Sequence, residues 1–157
     1  MAKVEKTNVM RILDSKKVLY VTHYYGNTDA VSGTDVAAVL GEAPEKVFKT
    51  LVTVGRSKQH YVFIIPVEKE LDLKKAASAA GEKSIEMIKS KELLPLTGYV
   101  HGGCSPIGMK KQFPTFMDES AQLRDTVCIS AGKIGYQVEL APDMLSVMIP
   151  LNFSDLT

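Results

Sequence analysis

The sequence has no tryptophan and only two cysteines, Cys104 and Cys128, among 157 residues. Two thiols are too few for a disulfide framework or, on their own, for a metal cluster, and they fit a reducing, cytoplasmic setting. No apolar run approaches the ~18 residues of a membrane-spanning helix. The opening Met1-Ala2-Lys3-Val4-Glu5-Lys6 lacks the apolar core of a secretory signal. No charge of one sign dominates: 19 Lys and Arg stand against 18 Asp and Glu, a formal net charge of +1. No global field therefore advertises a nucleic-acid binder, although a balanced total can hide a local patch. No Gly-x-Gly-x-x-Gly opens a helix and no Walker sequence is present, so dinucleotide binding and NTP hydrolysis have no support.

What is there reads as one soluble domain spanning 1–157. Hydrophobic residues make up 45% and charged residues 24%, the balance of a globular protein with a core of its own. There is no internal repeat, low-complexity tract or linker. Thr7 is positioned to cap a helix that carries Val9, Ile12 and Leu13 on one face. The segment 18–24 reads as a strand, and 35–40 as a helix capped by Thr34 and ended by Gly41. Segments 47–54 and 60–67 are rich in β-branched residues and flank a turn at 55–58, which predicts a hairpin. Helices are expected over 71–80, ended by Gly81, and over 84–93, stopped by Pro95. A second hairpin is expected from 127–130 and 135–140, and a short helix over 144–148 ends the fold. Paired hairpins predict an antiparallel or mixed sheet rather than a doubly wound parallel one.

Two segments could carry chemistry. Gly102-Gly103-Cys104-Ser105-Pro106-Ile107-Gly108 puts three glycines and a proline into seven residues. Glycine reaches backbone angles closed to other residues, and successive amides in such a loop can converge on an oxyanion. The same composition also suits a tight connection between strands. Lys49 sits between Phe48 and Thr50 in a strand, on one face with Val47 and Leu51. A lysine there is either a cation beside a cleft or an edge-strand gatekeeper. Cys104, with His101 three residues upstream, is a nucleophile only if a third group orients the pair, and none is evident. His23, His60 and His101 show no metal-ligand spacing, so no metal and no cofactor is expected. Lysines gather at Lys74 and Lys75, Lys83, Lys89 and Lys91, and Lys110 and Lys111. The plain reading is a solvated helix face and a charged loop.

Taken together, several segments resemble the YbaK/EbsC family. They are Val-Phe-Lys-Thr-Leu-Val at 47–52, Gly-Gly-Cys-Ser-Pro-Ile-Gly with Lys-Lys at 102–111, and Ile-Ser-Ala-Gly-Lys-Ile-Gly at 129–135. Leu-Asp-Leu-Lys-Lys at 71–75, Thr-Gly-Tyr-Val at 97–100 and Pro-Thr-Phe-Met-Asp at 114–118 agree with it. The resemblance runs through nearly the whole chain. It implies an α/β protein of the α+β type, with a central mixed, largely antiparallel, partly barrel-like β-sheet surrounded by helices. It implies release of wrongly attached amino acids from tRNA, with cysteinyl-tRNA(Pro), and also cysteinyl-tRNA(Cys), as substrates.

Residue by residue, the family's essential lysine falls on Lys49 and the following threonine on Thr50. A pocket tyrosine falls on Tyr25 or on its neighbour Tyr24. The glycine loop falls on Gly102, Gly103, Ser105 and Pro106, and the serine of the late hairpin on Ser130. Gln137 stands where some members have an aspartate. Lys110 and Lys111 flank the implied pocket and are the candidates for tRNA binding. The implied partners are the aminoacylated 3′ end of tRNA and prolyl-tRNA synthetase in a ternary complex. Two readings compete: a deacylase for another mischarged tRNA, such as alanyl-tRNA(Pro), and a non-catalytic module that binds aminoacyl-tRNA or a synthetase.

Overall fold

The computed structural model describes residues 5–26, 28, 30 and 32–157. Helix α1 (Asn8–Ser15) starts where the Thr7 side chain accepts a hydrogen bond from the Met10 amide, as expected. Its Val9, Met10 and Leu13 form one buried face. Burying each such side chain is worth ~1.5–3 kcal/mol, so Leu13→Ala would be the single change that most loosens this helix. Strand β1 (Val21–Tyr24) follows, then α2 (Gly33–Leu40), capped by Ser32 rather than Thr34. The Ser32 hydroxyl accepts from the Asp35 amide at 3.1 Å, and Gly41 closes the helix as expected.

A short 3-10 turn at Pro44–Lys46 leads into β2 (Phe48–Gly55) and β3 (His60–Pro66), the expected hairpin. Helix α3 (Leu73–Ala80) begins at Asp72, whose carboxylate accepts from the Lys74 and Lys75 amides.

The segment 84–93 departs from expectation. It holds strand β4 (Ile85–Met87), paired with β2, and only then helix α4 (Ser90–Thr97). Ile85 and Met87 alternate with Glu86, and the free edge of β2 selects the extended form over the helix that local propensity favours. Pro95 does not stop α4, which runs two residues further, and Thr97 ends it by donating its hydroxyl to the Leu93 carbonyl.

Beyond α4 come β5 (Thr115–Asp118), β6 (Val127–Ser130), β7 (Tyr136–Leu140), α5 (Pro142–Met148) and β8 (Leu151–Ser154). Strands β5 and β8 were not expected, and α5 therefore does not end the fold. Among the described residues, four of the six strand pairings are antiparallel; β3–β5 and β5–β8 are parallel. The sheet is thus mixed and largely antiparallel, as the resemblance implied, and it is divided in two. One sheet has the order β1-β7-β6 and the other β4-β2-β3-β5-β8. Among the described residues, a single parallel bridge between Val47 and Cys128 joins them.

Phe48, Val52, Ile64 and Met117 of the larger sheet pack with Ile129 and Val138 of the smaller one and with α1 in one buried cluster. On the other face of the larger sheet, Phe63, Ile65 and Phe116 pack against Ala76 and Ala77 of α3. The mouth left between the two sheets is where the site lies.

Candidate active site

A cleft of about 400 Å³ opens where β2 departs from the β6–β7 hairpin. Strand β2 supplies Lys49 and Thr50 to it, Tyr25 follows directly after β1, and β6 and β7 supply Ser130 and Gln137. The loop between α4 and β5 adds His101, Gly102 and Cys104, and the first residues of α2 and α4 complete the rim. Lys49 and Gly102, singled out by their sequence setting, and Thr50, Tyr25 and Ser130, implied by the family resemblance, are brought together by this one cleft. Lys49 is half-buried and, among the described residues, makes no ion pair.

The choice between the adjacent tyrosines is settled geometrically. Tyr25 is buried and lines the cleft, its amide donating to the Gly135 carbonyl at 2.8 Å. Tyr24 packs its ring against Tyr136, with centroids 5.0 Å apart.

The rest of the glycine loop supports the site rather than lining it. Gly102 has a φ of +87°, a conformation that a side chain would strain. Gly103 packs so closely that an added Cβ would stand 3.0 Å from the Ile134 nitrogen. Ser105 is fully buried and its hydroxyl accepts from the Ile107 amide. Pro106 is buried beside it. Gly102 and Gly103 lie against Lys133 and Ile134 of the β6–β7 turn, which fixes Gly102 at the cleft. Lys110 and Lys111 are exposed and do not line the cleft; the Lys111 ammonium lies 5.8 Å from the Phe113 ring centroid.

Cys104 lines the cleft but is a poor nucleophile. Burial pushes its thiol up to about 12, against a smaller opposing effect of the Thr97 hydroxyl. Among the described residues, no hydrogen bond joins it to His101. A thiol so strongly protonated at neutral pH is a packed side chain.

One titratable cluster has no counterpart in the sequence motifs. His23, Glu42, Cys128 and Glu139 bring one potential ligand atom each to within 4.8 Å of one another. The residues lie far apart in the chain, so no spacing signal could have revealed them. The Lys46 ammonium already serves both carboxylates, 3.1 Å from Glu139 and 3.5 Å from Glu42, while His23 Nε2 lies 2.8 Å from Glu139. Burial raises the Glu139 carboxyl most strongly, but contacts from Thr126, His23 and Lys46 outweigh it and hold the group at about 2. The cluster is an internal ion-pair network that ties the 3-10 turn before β2 to the β6–β7 hairpin.

The cleft thus gathers a lysine, a tyrosine, two small polar side chains and a rigid glycine loop, and among the described residues no activated protein nucleophile faces it. The chain belongs to the aminoacyl-tRNA editing domain family, whose model matches residues 28–146. It is 46% identical to a protein of Enterococcus faecalis, EbsC, provisionally named a Cys-tRNA(Pro)/Cys-tRNA(Cys) deacylase, over 98% of this chain and 94% of that protein. A stretch covering 53% of the chain is 34% identical to a proline–tRNA ligase of Pelobacter propionicus, of which it spans 14%. The fold superposes with a TM-score of 0.83 on a crystal structure described as a proposed trans-editing enzyme for prolyl-tRNA synthetase; the two are 21% identical, and 99% of each chain is covered.

Proposed function

We propose that this protein is an aminoacyl-tRNA deacylase that removes cysteine from cysteinyl-tRNA(Pro), and from cysteinyl-tRNA(Cys), with Lys49 as its principal catalytic residue. The observation that carries the reading is the meeting of Lys49, Gly102, Tyr25 and Ser130 in one cleft of a size suited to an aminoacyl group and part of a nucleoside. Membership of the editing family and the near full-length similarity to EbsC support the same substrate class.

The chemistry follows from what the cleft lacks. Cysteinyl-tRNA carries its own nucleophile, so no protein thiol is needed. The substrate sulfur attacks the ester carbonyl, a carbon–sulfur bond forms, and the bond to the ribose oxygen breaks. The departing ribose oxygen takes the proton that the thiol gives up, and the thiolactone then opens in water. Thiol and carbonyl belong to one residue, so the protein's task is to hold a reactive rotamer. The Lys49 ammonium stabilises charge that develops near the carbonyl oxygen, and amides of the loop at Gly102 and Gly103 assist it. Alanyl and prolyl esters lack the thiol, so selectivity does not depend on a pocket that would separate one methylene by only ~1–3 kcal/mol.

The tRNA partner follows from this substrate. Prolyl-tRNA synthetase is proposed as a second partner in a cytoplasmic ternary complex. The near-zero net charge supports it, because weak tRNA affinity calls for specificity lent by another protein. Assaying cysteinyl-, seryl-, alanyl- and prolyl-tRNA(Pro), with and without the synthetase, tests the reading. Cysteine alone should be released; equal release of serine would sink the thiol-assisted route.

A further inference from the structure

Gln137 lines the cleft and is buried to all but 7% of its surface, yet its Oε1 has no hydrogen-bond partner among the described residues. Thr50 Oγ1, in the opposite wall, is also shielded from solvent and unpaired although its residue is only half-buried; of the four such side-chain atoms among the described residues, these two lie in the cleft and Ser120 Oγ and Arg124 Nε lie outside it. Leaving a buried polar atom unpaired costs about 1–3 kcal/mol, and native interiors avoid it. Two such atoms in one cleft are groups whose partner arrives with the ligand.

The chemistry of that partner is constrained. An amide oxygen only accepts, so the ligand must present a donor. Ser130, directly across the ladder from Gln137, already accepts from the Gly132 amide. The next residue on the same face of β7 is Glu139, where two carboxylates, Glu139 and Glu42, are served by the single ammonium of Lys46 and by His23 Nε2, the cross-strand neighbour of Gln137 on β1. The β7 wall therefore favours a cation, whereas the β2 wall carries the ammonium of Lys49. A ligand lying across the cleft is held with its positive end at Gln137 and its electron-rich end at Lys49.

We infer that Gln137 is the acceptor for the α-ammonium group of the aminoacyl substrate and so the residue that sets its orientation in the cleft. This deepens the deacylase reading and rests on it. With the ammonium at Gln137, the ester carbonyl turns toward Lys49 and Gly102. The enzyme then requires a free amino group, and it rejects acyl esters that carry a thiol alone.

The test uses the intact protein and two unreactive ligands, 3′-deoxy-3′-(cysteinylamino)adenosine and its counterpart without the α-amino group, with binding measured by calorimetry. Wild type should prefer the amino ligand roughly ten- to a hundredfold, the worth of a hydrogen bond to a charged group. Gln137→Met should bind the two alike. Gln137→Glu, which offers an acceptor whichever way the side chain turns, should keep or enlarge the preference. If the methionine variant does not fold, Gln137→Asn, which withdraws the carbonyl by one methylene, should reduce the preference in its place. A wild type without preference, or a methionine variant that retains it, overturns the assignment. Turnover of cysteinyl-tRNA by wild type is scored separately. Amino-dependent binding without turnover sinks the deacylase reading and leaves Gln137 as an ammonium acceptor, whereas turnover without amino preference sinks only the role of Gln137.

Discussion

Ser130 and Gln137 are cross-strand partners in the β6–β7 ladder, and both side chains line the cleft that Lys49 enters from β2. One wall of the site is thus a rigid hairpin and the other a strand of a different sheet. Lys49 and Thr50 stand on the β2 wall, and Ser130 and Gln137 stand on the hairpin wall.

Lys49 is the first residue to remove. Lys49→Ala should lower kcat/KM for cysteinyl-tRNA by about 100-fold or more, the scale of removing a principal electrostatic group from a water-poor site. Its Tm should change little, because Lys49 makes no ion pair among the described residues. Steady-state kinetics with a thermal melt checks both halves. Unaltered turnover would remove the mechanism.

Cys104→Ala should keep most of the activity. The wild-type thiol should also react slowly with iodoacetamide at neutral pH, since burial pushes it up to about 12. A dead alanine variant that still folds would restore the protein-nucleophile route.

Replacing Lys110 and Lys111 with alanine should raise KM and spare kcat, because both are exposed and stand outside the cleft. The dependence of log KM on log salt should flatten by about one unit for each phosphate that is no longer neutralised. Identical slopes in variant and wild type would place the tRNA on another surface.

Glu139 predicts an acid limit to stability. Its carboxyl titrates near 4.5 when free and at about 2 in the fold. A depressed folded value means that its stabilisation is complete above 4.5, wanes as pH falls through that window, and is gone below about 2. The loss is on the order of 2 kcal/mol for a largely buried carboxylate. Urea unfolding at pH 6 and pH 3 should show it, and Glu139→Gln should be less stable at pH 6 with a flatter pH profile.

Gly103→Ala should cost about 1–3 kcal/mol, because the new methyl meets backbone rather than a side chain that can give way. The contact is the Ile134 nitrogen at 3.0 Å. Chemical denaturation measures the cost, and reduced turnover would report the displacement of Gly102.

The hairpins, the Thr7 cap and the glycines ending α2 and α3 are readable because each is a local signal within a few residues. Strands β5 and β8 are not. Each pairs in parallel with a partner distant in sequence, and Pro114 and Asn152 mask their short apolar runs. The segment 84–93 misleads because the edge of β2 decides its conformation. At the site, Lys49 and Gly102 stand out by residue type in an unusual setting, and the family resemblance adds Tyr25, Thr50 and Ser130. Gln137 carries no local oddity: its significance lies in an unpaired oxygen, which only the packed structure reveals. The Glu42–Lys46–Glu139 network joins an intervening turn to a late strand and leaves no trace in spacing.

The seam between Val47 and Cys128 is one bridge long, and Lys49 lies two residues past it. That seam therefore sets the distance between the amine and the hairpin opposite. Wear at this joint, through a bulkier residue at either position, would alter the aperture and blunt the enzyme without touching any group that meets its substrate.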